Sequence, residues 1–163
     1  MNVFSSTPEL DLTALFNHAS VGIMVTDEEG YIVKANPFLL KMFDYELSEL
    51  EGQKIEVLVP TRYHADHAVK REHYTSRPEK RMMGHGNEFE AIKKNGEIFF
   101  VEVSLSPHYQ NGHKYITAFV NDITLRKKAE SELLEAKAKD LIMEVNLLRE
   151  MQLNELKTKF VSM

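Results

Sequence analysis

Apolar positions along the chain change their period several times, and each change marks an element. Leu12, Leu15 and Phe16 fall at i, i+3 and i+4, which predicts an amphipathic helix over residues 8–17, capped by Thr7 with Pro8 at its first position. Val21–Thr26 is β-branched and apolar, and Asp27-Glu28-Glu29-Gly30 reads as the turn into a return strand, Tyr31–Ala35. Pro37 suits the first turn of a helix carrying Phe38, Leu39, Leu40, Met42 and Phe43. Short helices are expected around Ser48–Leu50 and Ile55–Val59, and a longer one over Arg62–Thr75 that ends near Pro78. Three strands complete the pattern: Glu88–Lys93, Ile98–Leu105 and Tyr115–Ile123, with hairpin turns at Asn95-Gly96 and Asn111-Gly112. The expected fold class is α+β, a five-stranded antiparallel sheet with short helices on one face.

The pattern after Ile123 is different. All 7 glycines and 5 prolines lie between Pro8 and Gly112, so the end of the chain is unbroken and rich in strong helix formers. Leu134, Ala138, Leu141, Val145 and Leu148 recur at alternating +4 and +3 steps, the apolar seam of a two-stranded coiled coil. The same steps then land on Gln152 and Glu155, and a shifted register resumes at Leu153, Leu156, Phe160 and Met163. A helix over residues 126–163 would reach about 57 Å at ~1.5 Å per residue. That length favours a parallel homodimer over a helix folded back on its own domain. Three segments follow: residues 1–19, an N-terminal amphipathic helix; 20–125, a globular domain; 126–163, a coiled-coil helix.

Charge and composition narrow the function. Of 20 basic and 25 acidic residues, 8 and 7 lie in residues 126–163, leaving 12 against 18 in residues 1–125. A domain at net −6 is a poor partner for nucleic acid or anionic lipid. There is no cysteine, which excludes disulfides, thiolate metal sites, iron–sulfur clusters and a cysteine nucleophile. No apolar run approaches the ~18 residues of a membrane helix, and the first residues lack a signal-peptide pattern. A cytoplasmic location is expected.

The residues Val21-Gly22-Ile23-Met24-Val25-Thr26-Asp27, Gly30 and Ile32…Ala35-Asn36-Pro37 resemble the opening of a PAS domain. Lys93-Lys94-Asn95-Gly96-Glu97 resembles its central hairpin, and Asp122-Ile123-Thr124 followed by Arg126-Lys127-Lys128-Ala129-Glu130 its exit motif. The tail ending in Lys157–Met163 is similar to the segment ahead of the phosphoacceptor histidine in bacterial sensor histidine kinases. That histidine motif and Gly-rich ATP-binding boxes are absent from the sequence. The resemblance therefore implies the sensor and connector of such a kinase, with no catalytic residues of its own and with the kinase domain as its partner in the full-length chain. It makes Asp122, Ile123 and Thr124 the signal junction: Ile123 packed on the sheet, the polar pair bonding across the strand-to-helix step. A plain helix cap by Asp122 or Thr124 is compatible with that role.

The histidines are the remaining chemistry. His18, His108 and His113 fall near a helix end or a hairpin turn and are expected to be solvated. His64 and His67 share a helical side, whereas His73 lies about 240° from His67 at ~100° per residue, a poor zinc geometry. Between Gly84 and Gly86, His85 sits where backbone can approach a ligand closely. In spacing, this region resembles oxygen-sensing haem PAS domains. The resemblance makes His67 the proximal iron ligand, His85 the sixth ligand, and haem b the candidate cofactor of a pocket that includes Asn87. The family's pocket arginine is Asn87 here, and its aromatic residue after the proximal histidine is Lys70. The cysteine motif of flavin photosensors is missing. A ligand-free PAS interaction and dimerisation module, or a small-metabolite sensor, stays open beside the haem reading.

Overall fold

The computed structural model describes residues 12–76 and 88–162. The chain divides after Thr124 into two units. In the first, α1 (Leu12–His18) leads to β1 (Gly22–Asp27), β2 (Ile32–Ala35), α2 (Pro37–Phe43) and α3 (Leu47–Leu50). Two 3-10 turns, Ile55–Leu58 and Thr61–Tyr63, then precede α4 (His64–Ser76). The strands β3 (Glu88–Ile92), β4 (Ile98–Gln110) and β5 (His113–Asp122) close the unit. The sheet is five-stranded and antiparallel in the order β2-β1-β5-β4-β3, as the sequence pattern predicts for the fold class. The order itself is new: β1 and β5, far apart in sequence, pair along the whole of β1, from Gly22–Val120 to Asp27–Tyr115.

One face of the sheet is the core. Met24, Ala91, Phe99, Val101, Ala118 and Val120 are buried on it, and Ile32, Leu39 and Leu50 are almost wholly excluded from solvent. Phe43 of α2 meets Phe99 edge to face at 5.1 Å between centroids, a favourable aromatic geometry that fastens the helical layer. Ile23, Val25, Thr117 and Phe119 alternate onto the opposite, more open face.

The turns separate two chemistries that look alike in sequence. Asn111 and Gly112 both have positive φ, 52° and 80°, the two-residue hairpin expected of Asn-Gly. At Asn95-Gly96 only Gly96 does, at 89°. There Gly96 N–H bonds to Lys93 O and Lys93 N–H to Glu97 O, the wider turn with a glycine bulge. Strand β4 also continues beyond Leu105, where the sequence pattern ended it, and runs through Pro107 to Gln110. Phe100 turns its carbonyl to Ile123 and its N–H to Thr124, so by alternation Pro107 turns its nitrogen away from β5. The described pairing of β3 with β4 ends at Glu102, so the proline removes no bond from the described ladder.

The second unit is the remainder of α5 (Thr124–Val161), a helix of 38 residues with none buried in the single chain. Leu134, Leu141, Val145 and Leu148 are all exposed, as are Leu153, Leu156 and Phe160 of the shifted register. Among the described residues no helix is long and apolar enough to cross a membrane.

Candidate functional site

Helix α4 starts where Pro60 ends the preceding segment, and its first bonds are of 3-10 type, Tyr63 N–H to Pro60 O. His64 closes this start by a 2.8 Å bond between Nε2 and Val59 O. Its inward side carries His64, His67, Arg71 and the buried Tyr74, at helical spacing. His67 is half-buried, and its Nδ1 lies 2.9 Å from Glu56 Oε1 on the 3-10 turn Ile55–Leu58. Arg71, one turn on, donates from Nε to the same oxygen at 3.0 Å. Burial works against the charge on Glu56, but the bonds from His67 and then Arg71 outweigh it and hold the carboxyl below the usual glutamate range.

A carboxylate only accepts, so His67 donates from Nδ1, and in the neutral imidazole the lone pair is then on Nε2. A carboxylate behind an imidazole is the pattern by which metal-ligating histidines are oriented and made more basic. The donor chemistry therefore fits an iron porphyrin at the residue the family resemblance selects. Lys70 is exposed, so its ammonium stays in water rather than against an apolar ring. His85 and Asn87, with Gly84 and Gly86, lie outside the described residues. Among the described residues, no group of three or more His, Asp or Glu side chains is placed to hold a metal ion. Of the other histidines, His18 and His113 are exposed. His108 differs from expectation: it is half-buried and stacks on Tyr115 at 5.7 Å, because the two are register partners across β4 and β5. An open depression of about 740 Å³, lined by Leu40, Tyr45, Glu49 and Lys94 among others, does not involve His67.

Glu56 predicts an acid signature. Its folded pKa lies below the unfolded value, so the unfolded chain binds the extra proton. The resulting stability is complete above the usual glutamate value of about 4.3 and is lost as pH falls through the folded value. Melting temperatures of Glu56→Gln between about pH 6 and pH 3 should therefore fall less steeply than those of the wild type. Parallel curves would contradict the assigned partners.

At the other end of the sheet, the residues of the junction are bonded together. Ile123 is buried and its N–H bonds to Phe100 O at 2.9 Å. The Thr124 hydroxyl accepts from Phe100 N–H at 3.2 Å, while Asp122 Oδ1 accepts from Thr124 N–H at 2.9 Å. Asp122 thus caps locally and Thr124 reaches across to β4.

Sequence reasoning assigned no role to Asn36, Glu56 or Arg71. Asn36 is wholly buried, and its amide bonds four backbone groups, at Phe16, Val21, Ile23 and Leu39. An asparagine before a proline at a helix start signals the cap to Leu39, but nothing local signals the other three bonds. Glu56 and Arg71 are fifteen residues apart with no shared period, so only the fold brings them together.

Known proteins place this geometry. The sequence profile of the PAS domain matches residues 20–125. Over 129 residues the chain is 22% identical to the sensor protein FixL of Bradyrhizobium diazoefficiens, covering 79% of this chain and 26% of FixL. Over 105 residues it is 25% identical to the oxygen sensor protein DosP of Escherichia coli, covering 64% of this chain and 13% of DosP. The chain thus spans about a quarter or less of these relatives. Its fold is similar to the crystal structure of a PAS domain from Colwellia psychrerythraea, with a TM-score of 0.59 and 21% identity over 69% of this chain and 93% of that one. A profile match across most of the chain, on a fold similar to that of a solved PAS domain, decides the matter: the chain belongs to the PAS domain family.

Proposed function

We propose that this PAS sensory domain is the input and dimerisation module of a cytoplasmic two-component histidine kinase. It passes a change at the α4 side of its core through the sheet to a parallel coiled coil formed by α5. The observation that carries this reading is the junction. Buried Ile123 and the bonds of Thr124 and Ile123 to Phe100 make the end of β5 move with β4, so a shift in the sheet becomes a shift at the first turn of α5. The distant similarity to the sensors FixL and DosP supports it. Thr124→Val keeps shape and removes the acceptor. In a chimera with a kinase domain it should reduce the difference between resting and stimulated activity while leaving the fold intact. An unchanged response would remove the junction from the account.

The His67–Glu56 pair favours a second reading of the input, in which the pocket holds haem b. His67 would hold the iron through Nε2, with His85 as a second ligand and Asn87 as an uncharged donor to the pocket. The bound group would supply gas ligation or a one-electron change at iron as the signal. Protein from cells supplied with a haem precursor should then show a Soret band at close to one haem per chain. His67→Ala should abolish it, and His85→Ala should give five-coordinate iron. A featureless wild-type spectrum after addition of hemin would leave a ligand-free dimerisation module or a small-metabolite sensor.

A further inference from the structure

One side chain of α4, Arg71, reaches the β1–β2 turn. Arg71 donates from Nη1 to Glu29 O at 2.6 Å while its Nε grips Glu56, so the guanidinium bridges the hairpin and the 3-10 turn. To do so it lies directly over Gly30. A Cβ on that residue would come within 2.6 Å of Arg71 Cδ and 2.8 Å of Nε, and Gly30 already has φ at 87°. Glycine is thus required twice, by the turn and by the arginine that crosses it. Lys54 also donates to Glu29 O, at 2.7 Å, but its segment is already tied to the hairpin by Ile55 N–H to Gly30 O. Arg71 carries a direct bond from α4 to the turn, while further along the helix Thr75 O accepts from Lys114 Nζ of β5 at 2.8 Å. Beyond the turn, β1 pairs with β5 along its whole length, and β5 ends at Asp122.

We infer that Arg71 is a latch that couples the pocket helix α4 to the β1–β2 hairpin, so that a change on α4 is felt at the strand leading to the output junction. The inference rests on the sensory reading above but not on the identity of any ligand. A latch has a reciprocal signature. Loosening it from α4 should free the hairpin, and loosening it from the hairpin should free α4.

Hydrogen–deuterium exchange on the full chain reads both directions. Arg71→Met keeps the aliphatic packing and loses both charged bonds. It should raise exchange about tenfold or more in residues 27–32 as well as in 64–76, while β4 and β5 amides keep wild-type protection. Gly30→Ala should raise exchange in 64–76 although the substitution lies on the hairpin. If Arg71→Met fails to fold, Arg71→Lys, which cannot bridge both acceptors, should show the same two segments loosened to a smaller degree. Exchange rising only in the segment that carries each substitution would overturn the latch. Because this readout needs neither a dimer nor a ligand, its failure would leave the sensory reading standing, and failure of dimerisation would leave the latch standing.

Discussion

Asn36→Ala should be the most destabilising small substitution in the domain, at about 3–5 kcal/mol. The side chain is fully buried, and its amide is used at every position: Oδ1 accepts from Ile23 N–H at 2.9 Å and Leu39 N–H at 3.0 Å. Nδ2 donates to Val21 O at 2.9 Å and Phe16 O at 3.2 Å. Alanine removes the helix cap, about 1 kcal/mol, and strands backbone groups whose lost bonds cost about 1–3 kcal/mol each where water cannot replace them. A domain stable by roughly 5–15 kcal/mol would lose a large share of that. Urea unfolding at pH 7 measures it directly. Asn36→Asp keeps the cap acceptor but sets a carboxylate against two carbonyls, so it should also destabilise. A loss for Asn36→Ala below about 1 kcal/mol would mean that the network is not as tight as its distances.

Leu141→Glu should have the largest effect on assembly and almost none on the domain. Leu141 is 62% exposed in the single chain, in the middle of a seam whose other leucines are equally open. Burying one leucine is worth about 1.5–3 kcal/mol, and a symmetric dimer buries two at this level. Replacing both with facing carboxylates adds like-charge repulsion. The dimer dissociation constant should rise by about a thousandfold or more, since ~1.4 kcal/mol is a factor of ten. Sedimentation equilibrium measures that change, and thermal unfolding of the globular unit should be unaffected. Asp140→Asn, away from the seam and from the positions that flank it, is the control. Equal dissociation constants for Leu141→Glu and wild type would show that the seam does not dimerise.

Much of the fold is legible in the sequence because local chemistry and tertiary structure agree there. The Val21–Thr26 and Tyr31–Ala35 strands, the Pro37 helix start and the Asn111-Gly112 turn follow from spacing and from residues that tolerate only certain φ values. The misreadings have tertiary causes. The expected strand stops at Leu105, but β5 pairs with β4 as far as Gln110, and Pro107 is tolerated because its position relative to Phe100 turns its nitrogen away from β5. Asn95-Gly96 makes the hairpin turn expected of it, and only the turn type, one or both residues in the left-handed region, is left unspecified by the dipeptide. The same limit governs the site. His67 is visible as a helix residue of interest, but its carboxylate partner and the arginine sharing it lie on separate elements. His108 looked solvated from its place near a turn, yet the register sets it on Tyr115.

In the proposed function, α5 joins two copies in parallel, and the junction turns that paired helix. The chain contains no cysteine, so single cysteines can be placed one at a time from residue 133 to residue 149 without background. In a parallel, in-register dimer, identical positions face each other only along the seam. Disulfide formation should therefore peak at 134, 138, 141, 145 and 148 and fall between them. Cross-linking that is uniform along the helix, or absent throughout, would contradict the account.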